Sequence, residues 1–160
     1  MAEIDLRSAA KGAIVVGMDD SPSARVALAT ALQEGVRRGT GVLAVTVYGS
    51  ATAWSREVSM LLDEDRAVGE VQRAARRIVD EVVAEVRERG EAVPPLQVGL
   101  QTGNPSDVLC RLTRESTLLV IGDRGRGELV SRIVGSVVLG VVVHATCPVL
   151  VVRPPRGAVG

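Results

Sequence analysis

The chain is nearly devoid of aromatic side chains, with one Trp, one Tyr and no Phe in 160 residues. Its core must therefore be built of Val, Leu, Ile and Ala, and it offers no aromatic platform on which the bases of a nucleic acid could stack. It also lacks a surplus of either charge. Nineteen Lys plus Arg balance nineteen Asp plus Glu, so nothing in the charge argues for nucleic acid or an anionic membrane as a partner. Lys11 is the only lysine. Without another, no Gly-x-x-x-x-Gly-Lys-Ser/Thr phosphate loop exists, and no Gly-x-Gly-x-x-Gly follows the first apolar run, so phosphotransferase and dinucleotide-dehydrogenase readings fall away. Cys110 and Cys147 show neither metal-ligand spacing nor a disulfide framework, which fits a reducing compartment. His144, the sole histidine, has no nominated nucleophile beside it, and a structural histidine is favoured over a general base. No catalytic residue is nominated. No charged, then apolar, then small-residue leader opens the chain, and a cytoplasmic location is expected.

What is present is an alternation of apolar runs and helical patterns in a chain the size of one domain. Ala13 to Met18 is a Val/Ile run bounded by Gly12 and an Asp19-Asp20-Ser21-Pro22 turn, and reads as a buried strand. Ser21 is an N-cap with Pro22 at the first helical position, Ala24, Ala27, Leu28, Ala31 and Leu32 share a face, and Gly39 closes the helix. Val42 to Tyr48 is the second strand and Gly49 to Ser59 a loop. Val68, Val71, Ala75, Ile78, Val82 and Val86 recur at helical spacing up to Gly90, with Arg77 to Glu81 and Glu85 to Arg89 spaced as solvated pairs. Leu96 to Gln101 is a third strand. Asn104-Pro105 opens another helix that ends near Ser116, Leu118 to Ile121 is the fourth strand, and Val149 to Val152 the fifth. The stretch Ile133 to Val152 is long and apolar enough to span a bilayer. Pro148 and two glycines divide it, however, and it is read as a helix and a strand, with no membrane partner. Strands alternating with helices mean a parallel sheet with right-handed crossovers, covered on both faces, and such sheets bind ligands at the carboxyl ends of their strands.

Val120-Ile121-Gly122-Asp123-Arg124-Gly125, followed after nine residues by Gly135-Ser136, puts glycines and a hydroxyl where a strand ends and the next element begins. A phosphate needs many donors at short range. Gly122 and Gly125 let backbone N–H groups approach it without an intervening Cβ, Gly135 keeps the approach open, and Ser136 stands where helix N–H groups and the helix dipole favour an anion. The plainer reading is that the two glycines make a turn and Ser136 caps a helix.

These motifs carry a resemblance. Gly122-x-x-Gly125, nine residues, Gly135-Ser136 and the closing His144-Ala145-Thr146-Cys147-Pro148-Val149-Leu150-Val151-Val152 resemble the ATP-binding signature and last strand of universal stress proteins. Ile14-Val15-Val16-Gly17-Met18-Asp19-Asp20-Ser21-Pro22-Ser23 resembles the first strand and turn of that family, and the likeness runs over roughly residues 11 to 153. It implies one domain over 11–153 with flexible termini at 1–10 and 154–160. The fold it implies is a five-stranded doubly wound parallel α/β sheet of order 3-2-1-4-5, adenine-nucleotide α-hydrolase-like, with helices on both faces. It also assigns the Val137 to Val143 segment to a helix, although five valines and Gly140 favour a strand.

The implied ligand is ATP, with Mg²⁺ accompanying the phosphates. Its site would draw on Gly17, Met18 and Asp19 at the end of strand one, Val47 in strand two, Ile121, Gly122, Arg124 and Gly125 after strand four, and Gly135, Ser136 and Val137 at the next helix. Asp19 would accept from the adenine amino group or ribose, or merely cap its turn. Val47 and Ile121 would wall the base or be plain core. Arg124 and Arg126 would reach phosphates or remain solvated. Two departures stand out: Asp123 replaces a small residue and brings a negative charge near the phosphates unless it faces away or helps hold a metal ion, and Val138 replaces a hydroxyl. The expected function is a nucleotide-responsive regulatory module in stress adaptation with little or no turnover. The alternatives are a nucleotide-free interaction protein of the same fold, or a nucleotide-hydrolysing enzyme. The apolar last strand would lie at a sheet edge, and the resemblance implies a homodimer through Val149 to Arg153.

Overall fold

A computed structural model describes residues 4–49, 64–125 and 135–155. Its strands are β1 (Ile14–Met18), β2 (Val42–Tyr48), β3 (Leu96–Thr102), β4 (Leu118–Gly122) and β5 (Val149–Val152). Its helices, in chain order, are α1 (Leu6–Ala10), α2 (Pro22–Arg38), α3 (Glu64–Glu88), α4 (Pro105–Leu112) and α5 (Ser136–His144). The strands form one five-stranded sheet of order β3-β2-β1-β4-β5. Every pairing is parallel, with Ile14 beside Val42 and Leu118, and Leu119 beside Val149. The chain moves outward from β1 to β2 and β3, then returns to the other side of β1 for β4 and β5. The switch point therefore falls between β1 and β4.

Both faces of the sheet are buried, which is why the central strands read as continuous apolar runs rather than alternating ones. Successive residues of a strand point to opposite faces. Ile14, Val16, Val42, Ala44, Leu118 and Val120 pack under α2 and α3, while Val15, Leu43, Val45, Leu119 and Ile121 pack under α1, α4 and α5. Each Val or Leu taken fully from water adds about 1.5–3 kcal/mol of favourable transfer. On α3, Ala75, Ile78, Val79, Val82 and Val86 form the buried stripe. On its outer face the expected Arg77–Glu81 pair is present, while Arg89 turns to another partner. Glu81 meets Arg25 of α2 at 2.5 Å and Arg77 at only 3.9 Å, and the ion pair of Arg89 is with Glu91 at 2.8 Å.

Within the stretch 1–10 read as a flexible terminus, Leu6–Ala10 is helical and Leu6 and Ala10 are buried, which corrects that reading for these residues. Gly99 in β3 makes room for it, since a Cβ there would overlap Leu6 Cδ2. β3 runs one residue further than expected, and α4 stops at Leu112 rather than near Ser116. The loop expected over Gly49 to Ser59 lies, beyond Gly49, outside the described residues, as do 156–160 of the tail.

Candidate functional site at the carboxyl ends of β1 and β4

The turn after β1 is built by short-range polar contacts. Asp19 Oδ1 accepts from Ser21 N at 2.9 Å, and Ser21 Oγ accepts from Ala24 N at 3.2 Å, capping α2 with Pro22 in its first turn. That turn meets the loop after β4, although about a hundred residues separate them. Ser21 Oγ donates to Arg124 O at 3.3 Å, and a Cβ at Gly125 would lie 3.2 Å from Asp19 Oδ2. The crevice at the switch point thus joins Asp19 to Gly125.

The β4 loop is anchored on three sides through Asp123. Its backbone N–H donates to Val152 O at 2.9 Å and its carbonyl accepts from Gly135 N at 3.2 Å, tying the loop to the end of β5 and the start of α5. Its side chain is buried. Oδ1 accepts from Ser23 Oγ at 2.7 Å, and Oδ2 lies 3.1 Å from Arg153 Nε and 3.7 Å from Arg124 Nε. Of the two outcomes left open for this residue, the carboxylate turns back into the protein toward α2 and β5 and is engaged at both oxygens. Among the described residues no group of three His, Cys, Asp or Glu could hold a metal ion. Asp123 stood out in the sequence only as a departure from the family pattern, and Ser23 and Arg153 were not candidates for the site. Only the buried position of Ser23 in its helical pattern hinted at a polar partner.

The remaining candidates divide by what their side chains do. Met18 and Ile121 are buried in the core, and Gly17 lets α4 approach, since a Cβ would lie 3.0 Å from Leu109 Cδ1 and 3.3 Å from Ile121 Cγ2. Only backbone groups remain to Gly17 and Met18 for a ligand. Val47 and Val137 are half-buried, packed against the core on the α1, α4 and α5 face. Gly122 has a packing duty of its own: a Cβ there would stand 2.5 Å from Ser23 Cβ and 2.8 Å from its backbone carbon. A side chain at Gly122 would therefore disturb the packing of α2 on β4, whereas Gly125 is exposed and faces the Asp19 carboxylate. Gly135 occupies the N-cap of α5, so Ser136 is its first helical residue rather than its cap, and it is exposed. The first N–H groups of a helix have no partner within it and carry the positive end of its dipole, so this end of α5 suits an anion. Arg126 lies outside the described residues.

Elsewhere the polar groups have local duties. His144 Nδ1 lies 3.0 Å from Gly140 O, and Thr113 Oγ1 bridges Cys110 O at 2.6 Å and Thr146 N at 3.1 Å. Burial, and then the charge of Asp107, push the Cys110 thiol above its ordinary pKa. A surface hollow of about 580 Å³ lies between α1 and α4, lined by Leu6, Val108, Leu112, Arg7 and Arg111 among others. It shares no residue with the turn after β1 or the loop after β4.

Sheet order and glycine loop define a class: doubly wound parallel α/β domains, whose ligands bind at the carboxyl ends of the strands. Residues 12–153 match the model of the universal stress protein family. The chain belongs to that family. A universal stress protein of Mycobacterium bovis is 33% identical over 140 residues, which cover 88% of this chain and 45% of that protein. The chain thus spans about half the length of such curated relatives. Among solved structures, a universal stress protein of Lactobacillus plantarum aligns with a TM-score of 0.69 at 24% identity, covering 90% of this chain and 99% of that one. One from Arabidopsis thaliana with AMP bound aligns with a TM-score of 0.56 at 22% identity, covering 93% and 95%. These two likenesses concern the fold.

Proposed function

We propose that this chain binds ATP in the crevice between the ends of β1 and β4 and acts as a nucleotide-responsive regulatory module with little or no turnover. The observation that carries the reading is the meeting of Asp19 with the Gly125 loop, held by the 3.3 Å hydrogen bond from Ser21 to the Arg124 carbonyl. Asp19 takes the adenosine end, and the half-buried Val47 lies at the end of the neighbouring strand. The backbone of Gly122 to Gly125 and the N-terminus of α5, with Ser136, face the phosphates. The AMP bound in the Arabidopsis relative supports the ligand class. Mg²⁺ comes with the phosphates, which is how this ion is commonly held, by one or two oxygen ligands and waters rather than by a protein cage. An equilibrium titration with labelled ATP and Mg²⁺ tests the reading: saturable one-to-one binding is expected, and no binding at millimolar ATP would remove it.

We further propose a homodimer through Val149 to Arg153. Among the described residues β5 is the edge of the sheet, its Val151 is exposed, and Leu139, Val142 and Val143 of α5 are exposed by 58–66%. A bare apolar edge of this kind invites pairing, and a two-fold contact with a second copy satisfies its N–H and C=O groups. This surface also favours the second reading, an interaction protein that works through its dimer face without nucleotide. Light scattering at micromolar concentration should give the dimer mass, and Val151→Pro, which deletes a donor from the edge, should shift it to monomer or aggregate. A monomer for the unmodified protein contradicts this part and leaves the ATP reading standing.

A further inference from the structure

We propose that Asp123 and Arg153 together set how much phosphate charge the nucleotide site accepts, an inference that rests on the nucleotide reading above. Asp123 is an ionisable group inside the glycine loop that would face the phosphates, and its side chain is only 7% exposed. A bare carboxylate there would repel a triphosphate through a poorly screened medium. The structure supplies two countercharges of different kinds. Arg124 is 3.7 Å from Oδ2 and belongs to the loop itself, so an arriving phosphate draws it away. Arg153 is 3.1 Å from the same oxygen, comes from the far end of β5, and stays with Asp123 when Arg124 turns to the ligand. Ser23 holds the other oxygen at 2.7 Å and fixes the carboxylate's direction, away from the open side of the loop. Arg153 is thus a positioning and neutralising residue. Its action grows with ligand charge because it cancels a repulsion rather than making a contact.

The test compares adenosine, AMP and ATP as ligands of the unmodified chain, Arg153→Gln, Asp123→Asn and the double variant. Thermal unfolding and light scattering of each variant report whether fold and assembly hold, and Asn at 123 keeps an oxygen to accept from Ser23. Arg153→Gln should weaken ATP by about tenfold, AMP by about threefold and adenosine not at all, with the ATP loss shrinking at high salt. Asp123→Asn should tighten ATP. Adding Asp123→Asn to Arg153→Gln should restore ATP affinity to at least that of the unmodified chain. Equal weakening of all three ligands by Arg153→Gln, or no change in any, overturns the proposal. So does an ATP loss that persists in the double variant, because Arg153 would then touch phosphate directly. If the unmodified chain binds none of the three ligands, the nucleotide reading fails and takes this inference with it. If it binds all three and the variants match it, only the inference fails.

Discussion

Two helices begin at the crevice, and different forces hold them. α2 carries its own instructions: Ser21 caps its first turn, Pro22 starts it, and Gly39 ends it in the left-handed region at φ +65°. α5 has none of these. Its N-cap is Gly135 without a side-chain bond, and five of its nine residues are β-branched valines with Gly140 in the middle. It is a helix because Val138 and Val141 are buried, and because Gly140 lets Ser106 of α4 come close, with a would-be Cβ 2.7 Å from Ser106 Cβ. Local signals write one wall of the site and tertiary packing writes the other.

That contrast can be broken most severely where the two walls join. Gly122→Val drives a branched side chain into Ser23 and its backbone, and should cost about 3 kcal/mol of stability or more. Thermal unfolding checks it, and a variant within 1 kcal/mol of the parent would show that α2 shifts freely away from β4. Gly140→Val should cost about 1–2 kcal/mol by pushing α5 off Ser106, and Ser106→Gly in the same chain should return most of that loss. Strict additivity of the two changes would mean that the helix contact does not hold α5. Smallest is Ser21→Ala, which removes the cap of α2 and the bond to the Arg124 carbonyl, for about 1 kcal/mol in chemical denaturation. No measurable change would place the stability of α2 in packing, as in α5.

The same contrast explains what was legible. α2, β2 and β5 fall where caps, turns and apolar runs place them. α5 was assigned to a helix through the family resemblance and the break at Pro148 that sets it apart from β5, although its composition argues for a strand. α1 escaped notice because five residues carry too short a pattern, and the one hint, Gly99 yielding space to Leu6, lies in another element. Asp19, the glycines and Ser136 could be nominated from their spacing around strand ends. The Ser23–Asp123–Arg153 network could not, since its members stand 100 and 30 residues apart and only the parallel sheet brings them together. In the same way, Gly122 announced itself as a glycine but not its reason, which is the closeness of α2.

The central claim is that the crevice reads adenosine at β1 and phosphate at β4 and α5. Its most direct test is the pair of affinities of Asp19→Ala for ATP and for inorganic triphosphate, each against the unmodified chain. Loss of a hydrogen bond to a charged group should weaken ATP by about 1.5–3 kcal/mol, at least tenfold, while triphosphate affinity stays within twofold. Equal weakening of both ligands would contradict the account and reduce Asp19 to the residue that holds its own turn.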